Sequence, residues 1–416
     1  MLPHLQSAFG IGAILLAAWA MSENRRAFPW RTVAIGLALE MALALLLLKV
    51  PLARSALLSL NGVVDALMAA TRAGTSFVFG YVGGAPPPFA VTNAGALSSF
   101  ASQVLPLVIV ISALAALLWH WRVLPLIVGG FAWALRKTLR LGGAVGLGSA
   151  ATIFLGMIEA PLLIRPYLAK LTRSELFTLF TVGLSTVAGT VFVLYATILR
   201  NAVAGALGHI LVASILSLFS AIVIAKVMLS GDAQTARDEA EDFNYRSSMD
   251  AIARGTEDGL KLWLSIVAML LVIVALVALA DLILKHAPDV AGAPLTVERI
   301  FGWIFAPFVW LLGIPWSETA TAGSLMGDKT VLNEFIAYLH LAALPQTALD
   351  PRARLIMVYA MCGFANLGSV GIMIASVSGM APERRSDIVP LALRALVSGT
   401  LASSMTGAII GLLPVA

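Results

Sequence analysis

Charged residues are scarce in this chain. Only 12% of its 416 residues are Asp, Glu, Lys or Arg, whereas 60% are hydrophobic and the mean hydropathy is +0.94. A soluble domain carries about 25% charged residues, so the composition excludes a water-soluble fold. Cysteine is scarcer still: Cys362 is the only one, and no internal disulfide can form.

Catalytic and metal-ligand spacings are also missing. The five histidines are scattered along the chain: His4, His120, His209, His286 and His340. Because no nucleophile, base or metal set occurs at a working spacing, the sequence predicts neither an enzyme nor a cofactor. The formal net charge of +5 does not indicate nucleic acid as a partner, since basic residues of membrane proteins gather in the loops on one side.

Long apolar runs, by contrast, are abundant. A bilayer core takes about 20 apolar residues of helix to cross. The runs predict eight transmembrane helices, near residues 5–21, 31–50, 101–119, 175–197, 203–229, 261–285, 353–379 and 388–414. We therefore expect an all-α membrane protein.

Basic residues predict the orientation of these spans. One side of the predicted topology holds Arg25, Arg26, Arg31, Arg136, Lys137, Arg140, Arg165, Lys170, Arg173, Arg237, Arg246, Arg254, Arg384 and Arg385. The opposite side holds Lys49, Arg54, Arg72, Arg200, Lys285, Arg352 and Arg354. By the positive-inside rule the richer side is the cytoplasm, and both termini face the periplasm.

Two stretches are apolar but interrupted near the middle. Residues 143–169 are broken at 156–161 and residues 313–342 at 323–334. We expect re-entrant helical hairpins, because irregular backbone is tolerated at membrane depth only inside protein or beside a water-filled cavity. Three further segments mix aromatic, aliphatic and basic residues and predict helices along the membrane interface: 55–70, 121–141 and 296–311. The hydrophilic residues 231–261 predict a cytoplasmic loop.

The order of hairpin, interrupted helix and long closing helix occurs twice, at 143–229 and 313–415, with opposite predicted topology. Matching broken helices indicate inverted repeats with a binding site at their interface. We expect residues 1–120 to form scaffold helices 1–3 with an interfacial helix, and residues 121–230 to form the first repeat of the transport domain. Residues 231–312 would then form the cytoplasmic loop, scaffold helix 261–285 and an interfacial helix, and residues 313–416 the second repeat.

Each predicted hairpin contains one glutamate, Glu159 or Glu334. An acidic residue at the centre of a membrane helix costs about 2.5 kcal/mol or more, so such residues usually face a cavity or a partner. We expect the two carboxylates to converge on one chamber at the membrane midplane. The alternative is structural: each caps a hairpin tip or pairs with Arg165 or Lys329.

The motifs of the chain resemble those of the concentrative nucleoside transporter family, in particular its bacterial permeases. The similarity extends over nearly the whole chain in order. It is carried by Ser22-Glu23-Asn24-Arg25-Arg26 with Trp30-Arg31, Gly156-Met157-Ile158-Glu159-Ala160-Pro161-Leu162 with Arg165-Pro166-Tyr167, Ile314-Pro315-Trp316-Ser317-Glu318 with Ala322-Gly323-Ser324, Asn333-Glu334-Phe335-Ile336-Ala337-Tyr338, and Cys362-Gly363-Phe364-Ala365-Asn366 with Ala381-Pro382-Glu383-Arg384-Arg385.

The resemblance implies a homotrimer in the bacterial cytoplasmic membrane that imports nucleosides by symport with sodium or, in some members, protons. Each protomer would have a scaffold and a transport domain that moves as an elevator. We expect the hairpins and helices 175–229 and 353–414 to move against helices 1–3 and 261–285. A carrier for another polar solute, such as a nucleobase or a sugar, remains the alternative.

The resemblance also implies site residues. Glu334, Asn366 and Ser369 match the residues that hold the ribose, with Phe364 beside them. Glu159 matches a hairpin acid that lines the same site, and Val191 matches an apolar contact to the base. Met157 and Ile158 stand where the family commonly has Gln-Thr. Their side chains offer no hydrogen bond to the base edge, so we expect base selectivity to be loosened or changed.

The coupling ion is implied by the same resemblance. The positions that match the sodium ligands are Thr152, Leu155, Thr186 and Val187, with Thr152 where relatives often have Asn. Hydroxyl and carbonyl oxygens suit a small hard cation. A proton carried by Glu159 or Glu334 is the alternative.

Overall fold

The structure is a computed structural model that describes residues 3–92, 97, 99–231, 245–290 and 292–414. Its regular structure in these ranges is helical, apart from one isolated β-bridge between Val290 and Ala293. The expected all-α class is therefore confirmed. Of the predicted basic cluster in the cytoplasmic loop, Arg237 lies outside the described residues.

The first part of the chain forms five helices. Helix α1 is Pro3–Ala20, α2 is Trp30–Lys49, α3 is Pro51–Phe79, α4 is Leu107–His120 and α5 is Val123–Leu139. A π-helical turn over Phe100–Val104 leads into α4. Helix α3 is longer than the expected 55–70, because Pro51 occupies its first turn and it continues until Gly80 takes a positive φ of 60°.

The first repeat follows. Hairpin 1 contains α6 (Gly143–Leu155), α7 (Glu159–Leu163) and α8 (Arg165–Leu168). The interrupted helix is α9 (Arg173–Ser185) with α10 (Gly189–Leu199), and the closing helix is α11 (Ala206–Met228). Thr172 starts α9 with a capping box, in which its side chain and that of Glu175 each accept the other's backbone N–H.

Two helices join the repeats: α12 (Ser248–Leu284) and α13 (Val297–Leu311). The second repeat then has hairpin 2, with α14 (Thr319–Gly327), a π-helical turn over Asp328–Leu332 and α15 (Glu334–Ala343). The interrupted helix is α16 (Pro351–Met361) with α17 (Leu367–Met380), and α18 (Arg385–Leu412) closes the repeat. The two halves thus have the same order of elements.

Hairpin 2 breaks near the end of the expected 323–334 range. The helix continues through Gly323, and the chain becomes extended only at Asn333. Gly323 instead allows close packing, since a Cβ there would lie 2.5 Å from the carbonyl oxygen of Gly302 on α13. The predicted cytoplasmic loop is also shorter at its end, because α12 begins at Ser248, where Ser247 caps it.

Every predicted span coincides with a helix or an interrupted helix. Six of the described helical stretches are long and apolar enough to cross a membrane: Trp30–Lys49, Phe100–His120, Arg173–Leu199, Ala206–Met228, Ser248–Leu284 and Pro382–Leu412. The other two predicted spans are α1, which is short, and the pair α16 and α17, which is interrupted. The chain is a multi-pass membrane protein.

Helix packing separates α4 and α12 from the rest. In the described chain, α12 packs extensively only against α4. Helices α1 and α2 pack instead against α11 and α18, and these two long helices also pack against α9 and α16. Helices α1 and α2 thus lie beside the closing helices of the two repeats.

Several predicted cytoplasmic charges meet at one end of this bundle. Arg173 pairs with Glu23 at 3.2 Å and with Asp387 at 3.3 Å, and Arg394 also pairs with Glu23. Glu23 donates its backbone N–H to Met228 O at 3.0 Å. The α1–α2 turn and the ends of α9, α11 and α18 consequently lie on the same face, as the predicted topology requires.

Candidate functional site

The two interrupted helices contact each other where each is broken. The backbone is extended at Thr186 and Ala188 between α9 and α10, and the N–H of Phe364, in the break between α16 and α17, donates to Thr186 O at 3.3 Å. Gly363 permits this approach, because a Cβ there would lie 2.7 Å from Ser185 O. The crossing brings polar backbone groups of both repeats to one place.

Asparagine caps orient the polar side chains of the second repeat. Asn366 caps α17, its Oδ1 accepting the Ser369 N–H at 2.8 Å, and this leaves its Nδ2 to donate to Glu334 Oε2 at 3.2 Å. Asn333 caps α15 in the same way through Ile336 N–H at 2.9 Å. Glu334 therefore occupies the first turn of α15, where the helix dipole favours a carboxylate.

The carboxyl group of Glu334 is the meeting point of three helices. It is 4% exposed. Tyr195 on α10 donates its hydroxyl to Oε1 at 2.6 Å, and Asn366 at the start of α17 donates to Oε2. No ion pair of the described residues joins Glu334 to Lys329, whose ammonium donates to Ser403 Oγ at 3.4 Å. Glu334 is thus held by neutral donors.

Sequence reasoning did not identify Tyr195. The available signal was a single tyrosine in the apolar run 189–199, because a buried phenol needs a hydrogen-bond partner. The expected apolar contact Val191 lies one turn earlier on the same helix and is 5% exposed. Ser369 is buried, and Phe364 is partly buried beside Asn366.

Glu159 has different hydrogen-bond partners from Glu334, and the expected shared chamber stays a prediction. Its side chain is exposed, and the backbone N–H groups of Ile158 and Glu159 bond to it at the first turn of α7. No hydrogen bond in the described chain links it to Glu334. Gly156, at φ 98°, bends hairpin 1 three residues before Glu159.

The cavity beside Glu159 has a volume of about 470 Å³. It is bounded by α4, by hairpin 1, by Thr190 on α10 and by Asp258 and Arg254 near the start of α12. Thr190 precedes Val191, so this cavity reaches the helix that carries Val191 and Tyr195. Glu159 therefore lines a cavity that reaches the helix of Tyr195, whose hydroxyl donates to Glu334.

Met157 and Ile158 differ in their exposure. Met157 is 7% exposed and packs against α9, since a Cβ on Gly183 would lie 3.2 Å from its Cβ; the methyl group of Met373 on α17 lies 3.3 Å from the same position. Ile158 is 37% exposed. The tip of hairpin 1 thus packs against α9 through an apolar side chain, and neither Met157 nor Ile158 offers a polar group before Glu159.

The expected cation ligands surround the contact between hairpin 1 and the α9–α10 break. Gly189 brings the two together, because a Cβ there would lie 2.9 Å from Phe154 O. Thr152 donates its hydroxyl to Ser149 O at 2.7 Å, and Thr186 donates to Val182 O at 2.9 Å. Val187 pairs through its backbone with the Ser214 hydroxyl, and Leu155 ends α6.

One oxygen in this region lacks a partner. Ser149 Oγ is buried without a hydrogen bond, one turn before Thr152. No group of three or more His, Cys, Asp or Glu side chains that could hold a metal ion occurs among the described residues. The oxygens are hydroxyls and carbonyls, a donor set that suits sodium better than a transition metal.

Comparison with known proteins identifies the family. Residues 9–82 and 209–411 match the N-terminal and C-terminal models of the Na+ dependent nucleoside transporters, and residues 101–202 match a nucleoside recognition model. Among relatives, an uncharacterized transporter of Bacillus subtilis, YutK, is 36% identical over 98% of this chain and 99% of its own. The nucleoside permease NupC of Helicobacter pylori is 33% identical over 98% of this chain and 97% of its own.

Solved structures have the same fold as this chain. CNTnw in an inward-facing, substrate-bound state matches with a TM-score of 0.90 and 34% identity, covering 99% of this chain and 98% of that one. CNTnw variants in outward-facing and intermediate states match with TM-scores of 0.89 or 0.90. The relatives and structural neighbours are transporters rather than enzymes. This chain belongs to the Na+ dependent nucleoside transporter family.

Proposed function

We propose that this protein is a secondary active symporter that imports nucleosides across the bacterial cytoplasmic membrane. The observation that carries the proposal is the buried carboxyl group of Glu334, held by Tyr195 and Asn366 where the two interrupted helices cross. The permease relatives support nucleoside as the substrate class. A carrier for another polar solute, such as a nucleobase or sugar, is the competing function.

The ribose is the part of the substrate that this site can hold. Its vicinal hydroxyl groups donate to the Glu334 carboxylate, which accepts at both oxygens. Asn366 and Ser369 contribute further polar groups, and Val191 and Phe364 supply apolar surface for the base. When substrate is absent, Tyr195 and Asn366 satisfy Glu334, so the carboxyl group is not left unpaired in a medium where an unpaired polar group costs several kcal/mol.

The proposed site has fewer polar groups for the base than for the ribose. Met157 is buried and Ile158 offers only an apolar side chain, so no donor or acceptor precedes Glu159 at the tip of hairpin 1. Purine and pyrimidine nucleosides should therefore compete for uptake with similar potency. Strict preference for one base would contradict this.

Sodium is the proposed coupling ion, with a proton as the alternative. Thr152, Leu155, Thr186 and Val187 would supply oxygens, and the unpartnered Ser149 hydroxyl adds another. Uptake should fall when sodium is replaced by choline at fixed pH, and Thr152→Val should raise the sodium concentration needed for half-maximal uptake. Undiminished transport in choline would exclude sodium coupling.

The proposed movement is an elevator within a homotrimer, in which the hairpins and interrupted helices carry the site. Packing favours α4 and α12 as the fixed part and groups α1 and α2 with the moving helices α11 and α18. This revises the division expected from the sequence, in which helices 1 to 3 stayed fixed. Both termini remain assigned to the periplasm.

The decisive experiment is transport by proteoliposomes with a nucleoside panel, matched nucleobases and ribose, with and without a sodium gradient. Glu334→Gln should weaken nucleoside binding about tenfold or more, because a hydrogen bond to a charged group contributes about 1.5–3 kcal/mol. Glu318→Gln, on the same hairpin but hydrogen-bonded to Asp350 N–H, is the matched control. Accumulation of nucleobase or ribose in place of nucleoside would overturn the proposed substrate class.

A further inference from the structure

A third glutamate is buried in the membrane-spanning part, away from both hairpins. Glu40 is the eleventh of the twenty residues of α2 and is 0% exposed. An acidic residue at this depth is costly and usually marks a functional group or a paired charge. Glu40 is not among the site residues predicted from sequence, because the rest of α2 has the composition of an ordinary apolar span.

Glu40 is surrounded by hydroxyl groups from two other helices. Ser220 on α11 lies 2.8 Å from Oε1 and 2.7 Å from Oε2, and Thr406 on α18 lies 3.0 Å from Oε1. Thr406 Oγ1 also lies 3.3 Å from Ala402 O. The carboxyl group is therefore the junction of α2, α11 and α18.

No cation neutralises this carboxyl group within the described chain. The charged and titratable residues of α2, α11 and α18 stand toward the helix ends: Arg31, Lys49, His209, Lys226, Arg385, Asp387 and Arg394. The neighbouring helices α1, α3 and α5 carry His4, Asp65, Arg72, Arg136 and Lys137, and α9 and α16, which pack against α11 and α18, carry Arg173, Glu175, Arg352 and Arg354. None of the described ion pairs or hydrogen bonds connects a charged side chain to Glu40.

We propose that Glu40 is a proton-binding site of the carrier, held as a neutral carboxylic acid where α2 meets α11 and α18. The hydroxyl geometry accommodates the added proton. Oε1–H donates to Thr406 Oγ1, Thr406 donates to Ala402 O, and Ser220 donates to Oε2, so each hydrogen has one acceptor. An ionised carboxylate would leave a full charge buried without a cation, which costs several kcal/mol.

The same network reaches the proposed ion site. Ser217 on α11 donates to Thr406 Oγ1 at 3.2 Å, and its carbonyl oxygen lies 3.5 Å from Ser185 Oγ. Ser185 immediately precedes Thr186 at the α9–α10 break. Loss of the Glu40 proton would redirect the Thr406 hydroxyl from Ala402 O to the carboxylate, and the change would be transmitted to the helix that bears the break.

The first test is spectroscopic and independent of transport. Infrared spectra of the full-length protein in lipid at neutral pH should contain the carbonyl stretch of protonated carboxylic acids, and Glu40→Gln should remove part of it. Glu383→Gln, at an exposed position, should leave the band unchanged. An unaltered band in Glu40→Gln would overturn the proposal.

The second test is thermodynamic. A group that binds its proton more tightly in the folded chain stabilises the fold at low pH, and that contribution is lost as the pH rises. The Tm of the wild type should therefore fall as the pH is raised, and Glu40→Gln should flatten this dependence while remaining near the wild-type Tm at low pH. Glu40→Ala should be less stable at every pH, because it leaves a cavity and unpaired hydroxyls.

A metal cation in place of the proton would give a different result. If sodium raised the Tm of the wild type but not of Glu40→Gln, with Thr152→Val still responding, Glu40 would be a sodium site and the proton assignment would fail. Because both tests are made without substrate, their outcome is separate from whether the protein transports nucleosides.

Discussion

At the scale of single residues, Glu334 shows how a carboxyl group can be buried without a direct ion pair. Tyr195 and Asn366 donate to its two oxygens from different helices. These donors satisfy the carboxyl group when no substrate is bound. In the proposed mechanism, the ribose hydroxyls take their place. The affinity for nucleoside is then a difference between two sets of hydrogen bonds, so a change in the protein donors should alter it.

Tyr195→Phe tests this exchange. Loss of the phenol should destabilise the unliganded protein by about 1–3 kcal/mol, the cost of leaving a buried partner unsatisfied. Nucleoside restores donors to Glu334, so saturating nucleoside should raise the Tm of the variant at least as much as that of the wild type. Tyr359→Phe is the control, because Tyr359 is buried but bonds to His209 at 3.0 Å, outside the site. A smaller ligand-induced shift in Tyr195→Phe would contradict the exchange.

The proposal also makes base selectivity depend on single side chains. Replacing Met157 and Ile158 together by Gln and Thr should restore polar groups at the tip of hairpin 1 and sharpen discrimination between nucleosides. One bidentate hydrogen-bonded contact to a base contributes about 1–3 kcal/mol of discrimination. The measurement is competition by purine and pyrimidine nucleosides against labelled uridine, and unchanged relative potencies would show that the tip does not contact the base.

At the scale of elements, the crossing of the two interrupted helices depends on the absence of a side chain at Gly363. A Cβ at this position would lie 2.7 Å from Ser185 O and 3.0 Å from Leu184 O. Gly363→Ala should therefore lower the stability by about 1–3 kcal/mol, as overpacking does, and should impair nucleoside binding.

The matched control is Gly371→Ala on α17. A Cβ at Gly371 meets no atom within 4 Å, so this variant should unfold at the wild-type temperature or slightly above it. Thermal unfolding and equilibrium binding of both variants compare the same substitution in a crowded and an open position. Equal effects would mean that the close approach of the breaks is unimportant.

Much of this architecture was predictable from sequence, because apolar runs and interrupted runs have a direct physical cause in the bilayer. The span near 175–197 was found with its polar residues, and the structure shows a break there after Ser185. The break in hairpin 2 lies at Asn333, inside the predicted range, but its exact residue was not predictable, since Gly323 serves helix packing and Asn333 ends the π-helical turn. Which of these two residues marks the break depends on tertiary contacts.

The candidate site was predictable only in part. Asn366 beside glycines and Glu334 in a hairpin are intrinsically unusual, so the sequence identified them. Tyr195 and Glu40 were missed, because neither interrupts a helix and their importance depends on partners from other helices. The bend of hairpin 1 at Gly156, close to Glu159, requires a positive φ that the residue pattern alone does not specify.

At the scale of the whole molecule, packing predicts which helices move together. A disulfide between Gly36→Cys on α2 and Val223→Cys on α11 should form readily, because the two Cβ positions lie 3.8 Å apart, within the usual range of about 3.5–4.5 Å. Uptake should survive this bond if both helices move as one body. The native thiol of Cys362 is fully buried and should not compete.

The complementary variant links the proposed fixed and moving parts. Cysteines at Ala115 on α4 and Thr190 on α10 face the same cavity, and a bifunctional maleimide that spans it should stop uptake, whereas a monofunctional reagent should not stop it to the same extent. If instead the α2–α11 disulfide blocked uptake, α2 would belong to the fixed part, as the sequence first suggested.

Helix α12 carries a bare apolar surface, with Leu264, Leu271 and Leu279 among its exposed side chains. Between Lys261 and Asp281 it has 19 uncharged residues, a length of about 28 Å at 1.5 Å per residue. If α12 is the fixed element, its length sets the thickness of bilayer that suits the carrier. Lipids with longer acyl chains would pull Lys261 or Asp281 below the headgroups, so hydrophobic mismatch at this one helix should slow uptake in thick membranes.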